Sequence, residues 1–286
     1  MSQLVVQADT ARAIAAFTSR PSHALLLTGP PGSGKASLAI QLAEAILQLS
    51  PETLSTYPYL RHIEPIDGKT ISIETVRELE HFLSLRVPGQ QIINRIVIIE
   101  SSQLLSPEAQ NALLKTLEEP PLASLLVFTA TSEDALLPTI QSRMQTIAVK
   151  RPSLDALTEH FKHAGHSSQR IGQMQAISGG LPGLMAALLE DSDHPLLPAT
   201  QRARLLLQQS TFERLLAVDE LAKQKALCRD VLFILTQMAQ LRLRVATGKD
   251  FERWTTILKA SYAAVSALDA NAQSKLALTN LMLQLG

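Results

Sequence analysis

Cysteine is almost missing from this chain, with one residue, Cys228, among 286. A single thiol excludes an internal disulfide and any cysteine-rich zinc module, and its expected place is as a small buried apolar residue. Aromatic residues make up only 4% of the chain, so the core has to be aliphatic. Glycine and proline, 12 and 15 residues without a period, exclude collagen-like and low-complexity sequence. A surplus of one charge is lacking too. The 26 Lys and Arg balance 26 Asp and Glu, leaving no overall field to draw the chain to nucleic acid or a membrane surface. No apolar run approaches the ~20 residues of a membrane span. The opening Met1-Ser2-Gln3-Leu4-Val5-Val6 has no basic flank of a secretory signal. A cytoplasmic protein without membrane contact is expected.

What is present is 46% hydrophobic and 18% charged, an ordinary globular composition, and the length predicts about two domains. Charge is divided unevenly. Residues 1–195 carry 14 basic against 19 acidic groups, residues 196–286 carry 12 against 7, and the parts therefore hold −5 and +5.

Four short runs rich in Ile, Val and Leu read as strands: Ala24 to Thr28, Ile96 to Ile99, Leu125 to Ala130 and Thr146 to Val149. Apolar on both faces, they suit a parallel sheet covered on each side by helices. Helical spacing recurs at Val76, Leu79, Phe82 and Leu83, and Ser106-Pro107-Glu108 announces a helix that ends before Pro120-Pro121. Strand and helix in alternation predict an α/β fold. After Arg151-Pro152 the strand signals stop. Three short helices are expected up to about Glu190, then a linker at Asp191 to Pro195, then a leucine- and alanine-rich all-helical unit. The domains are thus read as 1–151, 152–195 and 196–286.

The sharpest motif is Gly29-Pro30-Pro31-Gly32-Ser33-Gly34-Lys35, directly after the first strand and opening the helix of Leu38, Ala39, Leu42 and Ile46. Glycines let the backbone amides form a nest for phosphate oxygens, the helix N-terminus adds positive potential, and Lys35 reaches the β and γ phosphates. The motif is altered at its end. Where an active loop has the Ser or Thr that binds Mg²⁺ there is Ala36, and Ser37, one residue late, is turned by about 100° on a helix. A later strand, Arg95 to Ile99, ends in Glu100-Ser101. Glu100 retains a carboxylate for a metal, but Ser101 has none to act as general base, a role typically contributing ~10² to 10⁴ in rate. Both halves of a hydrolytic site are degraded in the same direction.

Asn111-Ala112-Leu113-Leu114-Lys115-Thr116-Leu117-Glu118-Glu119-Pro120-Pro121, followed by a strand and by Ser142-Arg143-Met144, resembles the clamp-loader branch of the AAA+ ATPases. Within it the chain is similar to the delta prime family of bacterial DNA polymerase III rather than to the hydrolysing gamma/tau subunits. Hydrolysing relatives have Asp-Glu where Glu100-Ser101 stands and a nucleotide-sensing arginine where Pro182 stands. Leu181-Pro182-Gly183 has the delta prime form, and Asn271-Ala272-Gln273-Ser274-Lys275 is similar to the family's collar.

The resemblance implies an AAA+ P-loop domain, a small helical lid and a helical collar that forms oligomer contacts. It implies a subunit that does not hydrolyse ATP itself and places Arg143 against the γ-phosphate of ATP on a neighbour. Its partners would be gamma/tau, delta, the sliding clamp and, through the assembled complex, primer-template DNA. Weak binding of ATP or ADP with little need for Mg²⁺ is expected, and no zinc, because the family's four-cysteine module has no counterpart in Ser50 to His62. Alternatives remain open: an autonomous P-loop AAA+ ATPase, a small-molecule kinase, and a local ion pair as the role of Arg143. Lys115 and Glu118-Glu119 suit a solvated helix face as well as an interface. The seven histidines show no metal-ligand spacing, His163 and His166 being split by Gly165, and Trp254 is read as packing.

Overall fold

The computed structural model describes residues 5–65, 70–89, 92–270 and 272–285. Met1 to Leu4 of the N-terminal stretch and Asn271 of the collar stretch lie outside the described residues. The chain divides into two compact units, Met1–Pro152 and Ser153–Gly286.

The first unit runs α1 (Ala8–Ser19), β1 (Ala24–Thr28), α2 (Lys35–Leu47), α3 (Pro51–Ser55), β2 (Leu60–Ile63), α4 (Ile73–Ser84), β3 (Arg95–Ile99), α5 (Pro107–Glu118), β4 (Ser124–Ala130), α6 (Pro138–Gln141) and β5 (Gln145–Ala148). The strands form one sheet in the order β2-β3-β4-β1-β5, every pair parallel. Residues of β1, β3 and β4 are fully buried, and their period-2 alternation sorts them between two cores. Leu26, Val97, Ile99, Leu126 and Phe128 face α4 and α5. Leu25, Leu27, Ile96, Ile98 and Val127 face α1 and α2. A helix layer on each face explains why these strands read as continuous apolar runs.

Beyond the four strands expected from sequence, β2 is a fifth. Leu-Arg-His-Ile is only half-buried, because an edge strand pairs on one side alone and keeps polar residues. Helix α5 starts as expected, with Ser106 accepting from the Ala109 amide and Pro107 in the first turn. Arg95 is buried at the start of β3, where its guanidinium donates to the carbonyls of Phe82 and Leu85 at the end of α4. A cation there complements the negative end of the helix.

The second unit is all-helical: α7 (Leu154–His163), α8 (Ser168–Ser178), α9 (Pro182–Glu190), α10 (Leu197–Gln208), α11 (Thr211–Leu216), α12 (Val218–Lys223), α13 (Lys225–Arg242), α14 (Gly248–Asp269) and α15 (Ser274–Gln284). One apolar cluster joins Leu181 and Leu184 to Leu206, Val231, Leu235, Ile257, Leu278 and Met282, so helices from both sides of the 191–195 segment share a core. Cys228 is buried within it, and Trp254 packs at its margin. Gly179 ends α8 with φ +64°, and a Cβ there would stand 2.6 Å from that of Gln237. This close approach of α8 to α13 requires glycine.

Candidate functional site: a phosphate loop without its metal ligands

The carboxyl ends of the parallel strands carry the site, as in open α/β sheets generally. Residues 29–34 turn from β1 into α2, and Gly34 occupies the helix N-cap with no side-chain cap. Gly29 has φ +153°, and a Cβ would lie 2.8 Å from the Val149 carbonyl oxygen, so the loop's first position excludes any side chain. Ser33 is buried beneath the turn. Lys35 folds back over it, its Nζ donating to the carbonyls of Gly29 at 2.7 Å and Pro30 at 2.9 Å. Ser37 is exposed one position beyond Ala36, which offers only a methyl group. The arrangement has amide donors and one ammonium for an anion.

Burial pushes the Lys35 amine down from its ordinary 10.5 to about 8, opposed by the charge of Glu100. Below pH 8 the amine is an ammonium; above it the proton is lost and with it the attraction for phosphate. Nucleotide affinity measured by calorimetry is therefore expected to be level at neutral pH. It should fall as pH rises through 8, by up to about tenfold per pH unit, with proton uptake on binding. Lys35→Arg, which keeps its charge, should flatten that profile, and Lys35→Ala should abolish binding.

Glu100 closes β3 and is held at Nε2 of His62 across 2.8 Å. His62 stands on the neighbouring β2, paired in register with Ile98, and its Nδ1 lies 3.2 Å from Glu64. The hydrogen bond to Glu100 raises the His62 pKa, burial opposes it, and the charges of Glu100 and Glu64 add to the rise. Ser101 adopts φ +50°, and its amide donates to Thr129 Oγ1 at 3.0 Å while Ser102 Oγ donates to the Thr129 carbonyl at 2.8 Å. Thr129, at the end of β4, thus fixes the turn that follows β3. The residues do not suit Mg²⁺, which demands an octahedron of oxygens: the loop hydroxyl is replaced by Ala36, and the Glu100 carboxylate is engaged by an imidazole.

The loop, Glu100 and Ser101 are legible in the sequence, whereas His62, Glu64 and Thr129 are not. Their link to the site is parallel pairing of strands far apart in the chain. Histidine spacing is silent for the same reason, since the set His62, Glu64 and Glu100 is brought together at the carboxyl ends of two strands, β2 and β3, with ligand atoms within 4.8 Å of one another.

Arg143 follows α6. Its Nη1 donates to the Thr139 carbonyl at 2.7 Å and its Nη2 to Glu118 at 2.7 Å, so the local pairing considered from sequence is formed. Both partners are substantially exposed, Glu118 by 51% of its side chain, which makes this a surface ion pair.

A family model described as DNA polymerase III, delta subunit, matches residues 11–153, half of the chain. The chain belongs to this family. Curated relatives of this delta-subunit family member are named DNA polymerase III subunit delta′. That of Pseudomonas aeruginosa is 32% identical over 56% of this chain and 54% of its own length. That of Escherichia coli is 30% identical over 64% of this chain and 59% of its own length. The chain spans between about half and three-fifths of these relatives. DNA polymerase III subunit tau of Bacillus subtilis is 27% identical over 61% of this chain and 33% of its own.

Among solved structures, a gamma subunit-related protein of Thermotoga maritima aligns with a TM-score of 0.56 at 20% identity, covering 96% of this chain and 98% of that one. A variant of Thermotoga maritima RuvB aligns at 0.51 with 14% identity, covering 98% and 87%. These likenesses show the fold, a parallel α/β unit with a phosphate loop followed by helices. No helix among the described residues is long and apolar enough to cross a membrane.

Proposed function

We propose that this delta prime-like chain is a cytoplasmic clamp-loader subunit that binds nucleotide weakly, does not hydrolyse it, and lends Arg143 to the ATP site of a neighbouring gamma/tau subunit. The observation that carries the reading is the pairing of a degraded site with an available arginine. Ala36, Ser101 and the His62-bound Glu100 leave this site, among the described residues, without the loop's metal-binding hydroxyl, a carboxylate base after β3 or a free metal carboxylate at Glu100. Arg143, by contrast, is held by a surface pair worth about 0–1 kcal/mol. A phosphate on a neighbour competes easily with so weak a hold, and the planar guanidinium meets two of its oxygens.

In this reading residues 152–195 act as lid and 196–286 as collar. Exposed Phe212, Leu216, Val245, Leu276 and Leu283 supply apolar area for contacts with gamma/tau and delta. The sliding clamp and primer-template DNA are engaged by the assembled complex. The test is steady-state ATP turnover by the isolated chain together with co-purification from the source cell. Turnover at least ~100-fold below the typical enzyme value of about 10 s⁻¹ is expected, with gamma/tau and delta recovered as partners. Ordinary turnover by the chain alone would favour an autonomous AAA+ ATPase.

A further inference from the structure

The mismatch with Mg²⁺ at the ends of β2 and β3 has a positive side. An imidazole nitrogen and a carboxylate oxygen converge there. His62 Nε2 and Glu100 Oε1 are 2.8 Å apart, while Glu64 Oε1 stands 3.2 Å from Nδ1 on the other edge of the same ring. Nitrogen and oxygen ligands of one Zn²⁺ each lie ~2.0–2.2 Å from the ion. At a tetrahedral angle they are about 3.3–3.6 Å from each other, so Nε2 and Glu100 need to part by about 0.5–0.8 Å, within reach of a side-chain adjustment, to admit it. Glu64 is on the wrong edge of the ring to join them. Its position instead suits the carboxylate that accepts the Nδ1 proton, fixing the tautomer with Nε2 free and raising the basicity of the ligating nitrogen.

Backbone pairing sets the pieces. The register His62↔Ile98 and Ile63↔Ile99, with the Glu100 amide donating to the Ile63 carbonyl at 2.9 Å, holds the end of β3 against the end of β2. Side chains of His62 and Glu100 are 26% and 21% exposed, so water reaches the pair and can complete the coordination. An imidazole ligand favours first-row transition cations over Mg²⁺, with affinity rising from Mn²⁺ to a maximum at Cu²⁺ and lower again at Zn²⁺.

We propose that His62 Nε2 and Glu100, oriented by Glu64, bind one divalent transition cation of the Zn²⁺ type beside the phosphate loop, in place of the Mg²⁺ that the loop no longer supports. The bonds seen between His62 and Glu100 are those of the cation-free form, with a proton between nitrogen and oxygen where the ion would sit.

Isothermal titration of the full chain with ZnCl2 at neutral pH, in parallel with MgCl2 and without nucleotide, tests this. One saturable equivalent of Zn²⁺ is expected, with Mg²⁺ binding at least ~100-fold weaker. His62→Ala should remove the Zn²⁺ equivalent, and Glu64→Gln should weaken it ~10- to 100-fold, as loss of an orienting carboxylate does. His62 is on the half-exposed edge strand β2 and Glu64 directly follows it, and circular dichroism checks that each variant is folded; should His62→Ala fail to fold, the Glu64→Gln shift decides. His163→Ala removes the exposed His163–Glu159 pair and is expected to change nothing. Absence of saturable Zn²⁺ binding, its survival in folded His62→Ala, its loss in His163→Ala, or equal affinity for Mg²⁺ would each overturn the proposal.

Discussion

Replacing Arg143 by alanine is expected to lower DNA- and clamp-stimulated ATP hydrolysis at the adjoining site of a reconstituted loader by ~10³- to 10⁵-fold, the range over which an arginine finger acts. The chain itself should stay folded. What the substitution removes locally is the ion pair with Glu118 and a hydrogen bond to the Thr139 carbonyl, both at the surface. Such pairs are worth about 0–1 kcal/mol. Arg143→Lys is expected to recover little, because a compact ammonium cannot span two phosphoryl oxygens as the planar fork does. Single-turnover hydrolysis in complexes carrying wild-type chain, Arg143→Ala or Arg143→Lys checks this, with assembly verified by size exclusion. Unchanged hydrolysis in a fully assembled Arg143→Ala complex would show that the arginine serves only its local pair. Glu118→Gln supplies the converse arm: freeing the guanidinium should leave hydrolysis at least as fast.

The second large effect concerns the scaffold that holds the loop. Phe128, 0% exposed, lies on β4 next to β1, and its ring is in the core that α4 and α5 share with Leu26, Val97 and Leu126. Phe128→Ala is expected to destabilise the first unit by about 3–5 kcal/mol, combining lost transfer energy with the cavity left in a sheet that can barely relax. Leu122→Ala, at a side chain 92% exposed, should stay within about 0.5 kcal/mol. Urea denaturation followed by circular dichroism compares them. A Phe128→Ala loss no larger than that of Leu122→Ala would mean that the β4 core is not the seat of stability.

Much of the first unit is legible in its sequence because its determinants are local. Runs of four apolar residues rich in Ile, Val and Leu, set between turn residues, suit strands buried on both faces. Ser106-Pro107-Glu108 is a helix start whichever fold surrounds it, and the glycines around Lys35 make a phosphate loop when strand and helix flank them. The β2 strand escapes this reading because an edge strand is half solvated, and its Arg61 and His62 blur the pattern that buried strands display. The linker at 191–195 is visible as composition, yet composition says nothing of packing, and the helices on either side of it close over one core.

By itself the sequence determined the α/β class, the altered phosphate loop, the identities Ala36 and Ser101 at its two key positions, and the relationship to the delta-subunit family, since each rests on residue identity at short spacing. Tertiary structure alone decided that Glu100 is bound to His62, that Thr129 pins Ser101, and that Arg143 rests on Glu118. These groups are 38, 28 and 25 residues apart in the chain. Contacts at such separations are set by strand register and helix packing, which no local pattern encodes.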